Sequence, residues 1–295
     1  MQESRQNPEL MEVAFVMTAP SHFVHMTEEE FLKEAIGIVE KAQSRALYLR
    51  LIGALAVYVH SADDPPSIAA FKSLGRLGEG KPTFTDLDLV LYSKQRKGVI
   101  KLLEEMKFKA DNMVNWMFGG RRLVYNHPEG KFSIDLFVDK LEFSHDVNFT
   151  EKSGAGRLEL DYPTITLEDI VLEKLQIHQI NRKDLVDLIV LLLGHTVADQ
   201  RDKNVIDGGY IARTLSDDWG FWYDATKNLA SVATLAQELT GANPGLAVEQ
   251  SIKVKEGTAT LRKMIDAQPK SKNWEKREKV GTSKPWYKEV GEVSR

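Results

Sequence analysis

Three features of the chain predict an α+β fold, a small mixed sheet flanked by helices and followed by a helical subdomain. Two runs in the first half, Thr83 to Tyr92 and Lys131 to Asp139, are rich in β-formers and alternate apolar with polar residues, as half-buried strands do. Before and between them lie segments with apolar residues three and four apart, the period of an amphipathic helix. From about Pro163 the helical period takes over. Strands first and helices afterwards is the order of an α+β chain.

Taken in order, residues 1–26 carry no strong periodicity and read as an extended segment. Thr27 is a good N-cap with Glu30 at the capping-box position, and Phe31, Ala35, Ile38 and Val39 follow at helical spacing to about Arg45. Leu47 to Ile52 reads as a short strand, Gly53 ends it, and Ala54 to His60 reads as a helix. A strand that turns through glycine into a helix leaves backbone N–H groups where a phosphate would sit, or else serves close packing. Residues 61–85, with Pro65-Pro66 and several glycines, read as a long connection from which Lys72, Arg76 and Lys81 face either an anionic ligand or solvent.

Lys94 to Met106 has the pattern of an amphipathic helix, and Gly119-Gly120 that of a hairpin turn. Arg121 to Asn126 is then a strand, His127 to Gly130 a turn, and the Asp135 strand completes an antiparallel pair. Thr166 caps a helix to Ile177, Asn181 marks a break, and a second helix from Lys183 ends in the apolar stretch Ile189 to Leu193. Lys174 sits in an otherwise apolar segment, where it snorkels to water or reaches a bound anion. Asp184 and Asp187, three apart, share a face. Further helices are expected over Gly208–Leu215, Asp218–Leu239 and Leu246–Ala267. The expected organisation is therefore 1–26 extended, 27–160 an α/β core, 161–268 a helical subdomain and 269–295 a basic, aromatic tail.

The chemistry concentrates in the two alternating runs. On a strand Asp86 and Asp88 share one face while Leu87, Leu89 and Leu91 share the other. Asp135 points away from the buried face made by Phe132, Ile134, Leu136 and Val138. Two acids side by side repel unless a cation lies between them, and three carboxylates on neighbouring strands suit magnesium, a hard cation that takes oxygen ligands. The alternative is a solvated polar face of an antiparallel sheet. Elsewhere the chain offers little: there is no cysteine, so no disulfide or thiolate chemistry, and the seven histidines show no metal-ligand spacing.

Net charge is −4, which argues against a surface that coats nucleic acid broadly. The tail differs, with eight Lys/Arg against four Asp/Glu from Pro269 to Arg295, a local +4, together with Trp274, Trp286 and Tyr287. Such a tail either tracks a nucleic-acid strand or wraps back and docks its tryptophans on the body, and the lack of a dense basic cluster favours docking. No apolar run is long enough to cross a bilayer and no secretory signal is visible, so a cytoplasmic location without membrane contact is expected.

The order Leu51-Ile52-Gly53-Ala54-Leu55-Ala56, Thr85-Asp86-Leu87-Asp88-Leu89 and Ile134-Asp135 resembles the nucleotidyltransferase superfamily with its polymerase-β-like palm. Leu167-Glu168-Asp169, Glu173-Lys174-Leu175 and Arg182-Lys183-Asp184-Leu185-Val186-Asp187-Leu188 look like the last two motifs of the AbiE-type toxin nucleotidyltransferases. The whole chain is similar to largely uncharacterised bacterial nucleotidyltransferase-like proteins. The resemblance implies that Asp86, Asp88 and Asp135 hold two Mg²⁺ ions, and that an acceptor hydroxyl attacks the α-phosphate of an NTP with loss of pyrophosphate. It also implies that Lys174 binds the triphosphate, that Asp184 orients Lys174 or moves a proton, and that Gly53, Ala54 and Thr85 lie along the nucleotide. The acceptor that the resemblance implies is an RNA such as a tRNA end, or a protein as in toxin systems, with a small molecule of the aminoglycoside type as the alternative. A neighbouring antitoxin would be a partner, and a non-catalytic nucleotide-binding module is the remaining reading. The chain departs from the family in having Gly53-Ala54 where Gly-Gly or Gly-Ser is frequent, and in a longer connection to the first aspartate.

Overall fold

The computed structural model describes residues 26–76, 83–150 and 156–289. The expected extended segment, apart from Met26, lies outside the described residues, as does Lys81. The first helix, α1 (Glu28–Gln43), opens on a complete capping box: the Thr27 hydroxyl accepts from the Glu30 amide and the Glu30 carboxylate accepts from the Thr27 amide. Strand β1 (Leu49–Leu51) leads into α2 (Gly53–Ser61). The region expected to be a long connection instead forms a further helix, α3 (Pro65–Ser73). Asp64 caps it through the Ser67 amide, and Pro65 and Pro66 occupy the first turn, where a missing N–H costs nothing.

Strand β2 (Asp86–Leu91) is followed by α4 (Arg96–Glu105) and the two-residue β3 (Lys109–Ala110). Gly119-Gly120 is not a hairpin turn: Gly119 ends a short helix, α5 (Asn112–Phe118), capped by Asp111. The side chain of Asn115 imitates a neighbouring strand there, exchanging two hydrogen bonds with the backbone of Val124. Strands β4 (Arg122–Asn126) and β5 (Ser133–Val138) form the expected antiparallel pair. The five strands make one mixed sheet in the order β1-β2-β5-β4-β3. Among the described residues its one parallel pair is β2 beside β5, with Asp88 registered on Asp135 and Asp86 on Ser133.

A small ribbon, β6 (Lys140–Glu142) and β7 (Asp146–Asn148), extends from β5. The helical half holds α6 (Leu167–Leu175), α7 (Arg182–Gly194), the paired β8 (Thr196–Ala198) and β9 (Val205–Asp207), α8 (Gly208–Leu215), α9 (Trp219–Glu238), α10 (Val248–Ala267) and α11 (Lys272–Glu278). Among the described residues one buried cluster runs without a break from Phe31 to Ile265. The apolar end of α7 sits in it, and α7 packs against α2, α3, α9 and α10. The tail folds back onto the body: Trp274 is buried edge-on to Trp222, and Trp286 meets Tyr223 with ring centroids 5.3 Å apart. No helix among the described residues is long and apolar enough to cross a membrane.

Candidate active site

The acidic side of the sheet faces a cleft that the tail also reaches. This cleft, of about 940 Å³, is lined by the acids of β2 and β5, the start of α2, the end of α6, the start of α7 and residues of the tail. Alternation on β2 buries Leu87 and Leu89 beneath the sheet and leaves Asp86 and Asp88 on the cleft side. The parallel register then brings Asp135 beside Asp88, and one oxygen from each of the three acids lies within 4.8 Å of the others.

The electrostatics around Asp88 are those of crowded carboxylates. Burial, with Asp86, Asp135 and Glu173 close by, pushes the Asp88 carboxyl well above the ordinary carboxylate range. Arg122, on the neighbouring strand β4, answers part of this by donating two hydrogen bonds to Asp135, Nε to Oδ1 at 2.9 Å and Nη2 to Oδ2 at 3.0 Å. Thr85 donates to Asp86 Oδ1 at 3.0 Å. This donor set fits a hard divalent cation: carboxylate oxygens only, clustered, with a central acid that its neighbours discourage from ionising. Arg122 is the group with which such a cation would compete for Asp135.

Gly53 shows why a glycine stands between β1 and α2. Its φ is +68°, and a Cβ there would lie 2.9 Å from Asp88 Oδ2, so both the turn and the aspartate's position depend on the missing side chain. Its amide donates to Glu173 Oε2 at 3.1 Å. A buried carboxylate therefore already stands at the N-terminus of α2, where a phosphate was expected. Burial pushes the Glu173 carboxyl up as well. Ala54 follows in the cleft wall.

Lys174 does not snorkel. It is 5% exposed, with its ammonium 3.0 Å from Asp184 Oδ1, 3.1 Å from Asp187 Oδ2 and 3.7 Å from Glu173. Burial works against its charge, but these three carboxylates outweigh that and hold it firmly protonated. Asp187 is held below the usual range in spite of its own burial, because Lys174 and Arg76 both bind it. Arg76, expected either in solvent or facing a ligand, is spent on that contact, with Nε 2.6 Å from Asp187 Oδ1. Lys72 pairs with Glu28. Sequence reasoning assigned no role to Arg122 or Glu173. A basic residue opening the strand antiparallel to that of Asp135, and an acid next to Lys174, were the only signals.

Fold and cleft together define an α+β protein with a carboxylate cluster on its central parallel strands, beside a glycine-led helix start. No family model matches the chain, and no curated protein matches it in sequence. Among solved structures it is similar to an antigenic nucleotidyltransferase-like protein from Paracoccidioides brasiliensis, at 13% identity and a TM-score of 0.37, over 83% of this chain and 96% of that one. It is also similar to a STING-associated CdnE c-di-GMP synthase from Capnocytophaga granulosa, at 9% identity and a TM-score of 0.25, over 82% of each chain. Likenesses this loose assign no residue of the cleft, whose reading rests on its own geometry.

Proposed function

We propose that the protein is a metal-dependent nucleotidyltransferase that moves NMP from an NTP to an acceptor hydroxyl, on an RNA such as a tRNA end or on a protein. The observation that carries this reading is the convergence of Asp86, Asp88 and Asp135 at the mouth of a cleft beside the start of α2. The three acids would hold divalent cations, which supply charge neutralisation on the triphosphate and a more acidic acceptor hydroxyl. In the transfer, a bond forms between the acceptor oxygen and the α-phosphorus, the bond to the β-phosphate bridging oxygen breaks, and pyrophosphate leaves with that electron pair. The acceptor's proton passes to solvent or a cleft carboxylate.

The chain's own residues position these groups. Gly53 keeps the backbone clear of Asp88, and Thr85 steadies Asp86. Lys174 lines the cleft and balances Glu173, Asp184 and Asp187, while Arg122 is the cation bound to Asp135 among the described residues. One observation favours a second reading, a nucleotide-binding module without transfer: Arg122 takes both oxygens of the third acid.

Calorimetric titration of each NTP, in Mg²⁺ and then in EDTA, tests the proposal. Binding that needs Mg²⁺ and disappears in Asp86→Ala is the expected result, accompanied by pyrophosphate release once an acceptor is supplied. Nucleotide binding that never leads to pyrophosphate release would leave the module reading. Absence of NTP binding in Mg²⁺ would end both.

A further inference from the structure

Residues Tyr287, Lys288 and Glu289 of the tail line the cleft. Tyr287 lies flat against His178, with ring centroids 3.5 Å apart and planes 11° from parallel, and both residues line the cleft that holds the acids. We propose that this pair is the stacking platform for the nucleobase of the bound nucleotide, a subsite that the C-terminal tail completes. The proposal rests on the nucleotidyltransferase reading above and adds to it the residues that receive the base.

The platform is anchored from both sides. Behind His178 stands Asp224, fully buried, with oxygens 3.0 and 3.1 Å from His178 Nδ1 and 2.8 Å from His145 Nε2. That contact fixes the plane of the His178 ring, and the Ser144 hydroxyl accepts from its backbone amide at 3.1 Å. The tail is tied to the same carboxylate: Trp286 Nε1 donates to Asp224 Oδ2 at 3.1 Å. Its next residues are held too, by the Lys288 amide donating to the Ser144 carbonyl at 3.0 Å and by the Lys288 ammonium on Asp146.

Helix α9 is cut away to admit the tail. A Cβ on Gly220 would lie 2.5 Å from the Trp286 carbonyl oxygen and 3.3 Å from the Trp286 side chain. A hydrogen at this position, in the second residue of a long helix, makes sense as clearance for another backbone.

Docking alone would need only the tryptophan. Tyr287 is instead left half-buried in the cleft lining, which also includes Gln179 and Asn181. A half-exposed flat ring, backed by a second ring and set in a cleft whose lining also carries amide side chains, is the chemistry that receives a heterocyclic base. One carboxylate, Asp224, thus sets both the lower ring and the segment that carries the upper one.

The test compares NTPs with inorganic tripolyphosphate, which has the phosphates and no base, by calorimetry on the full chain in Mg²⁺. Tyr287→Ala is expected to weaken every NTP about tenfold or more, a typical loss for one base–aromatic stack, and to leave tripolyphosphate affinity unchanged. Tyr287→Phe, which keeps the ring, should bind as the unmodified protein does. Gly220→Ala, which pushes the tail off α9, should reproduce the loss seen with Tyr287→Ala. Equal weakening of tripolyphosphate, unchanged NTP affinity, or tighter NTP binding in Tyr287→Ala would each overturn the platform, the last by making the tail a plug. If the unmodified protein binds neither NTP nor tripolyphosphate, the nucleotide reading itself fails and the platform falls with it.

Discussion

Asp88 is the residue on which the cleft's chemistry and its cost to the fold meet. Its carboxyl is raised, so the folded state prefers it neutral. Its contribution to stability is therefore intact below the unfolded carboxylate range and is lost as pH rises through the folded value. At neutral pH without metal the protein carries the resulting penalty. Asp88→Asn should relieve it and raise the Tm of the metal-free protein by a few degrees, while abolishing the upward shift that Mg²⁺ produces in the unmodified chain. Thermal melts at pH 7 with and without Mg²⁺ measure both effects. A lower Tm in Asp88→Asn would make the aspartate a structural group and remove it from the site.

At the scale of elements, α6 is placed by a buried arginine as much as by its apolar residues. Arg157 Nε lies 2.7 and 2.8 Å from the two oxygens of Asp169, while Nη2 donates to Glu168 at 2.6 Å and to Thr166 at 3.1 Å. The guanidinium also lies 3.6 Å from the ring centre of Tyr210 on α8. Burial pushes the Asp169 carboxyl up to about 6 in spite of Arg157. Arg157→Leu would leave two buried acids without their cation and is expected to cost about 3–5 kcal/mol. Urea unfolding would read this as a lower midpoint at an unchanged slope. A loss under about 1 kcal/mol would mean that α6 is held by its apolar side chains alone. The same scale explains the missed helix α3. Asp64-Pro65-Pro66 is a good helix start, but a double proline reads equally well as a turn, and the packing of α3 on α7 decided between them.

Across the whole molecule, one chain of charges binds distant segments together. Arg76 follows α3, Lys174 is on α6, and Asp184 and Asp187 are on α7, so the two cations and two acids join parts of the chain up to 111 residues apart. Lys174→Met should therefore destabilise the fold as a unit, by about 3–5 kcal/mol, because Asp184 loses its cation and Glu173 is left buried beside two other acids. Denaturant melts followed by both tryptophan fluorescence and far-UV ellipticity would show the two probes falling together. Separate transitions would mean that the sheet half and the helical half hold together through apolar packing alone.

What the sequence by itself determined is local. Alternation placed Asp86, Asp88 and Asp135 on polar strand faces, capping residues marked the starts of α1 and α6, and Asn181 marked the break before α7. These are consequences of side-chain direction and of backbone groups that need partners within a few residues, and both can be read from neighbours in the chain. Tertiary structure alone decided the partners of the charges: Arg122 on Asp135, Glu173 on the Gly53 amide, Arg76 on Asp187. It also decided that the tail returns to Asp224 and sets Tyr287 on His178. Those choices depend on which side chains arrive together in a dry place, where an unpaired charge is too costly to leave. Residues 53 and 173, or 224 and 286, carry no trace of that meeting in their local pattern.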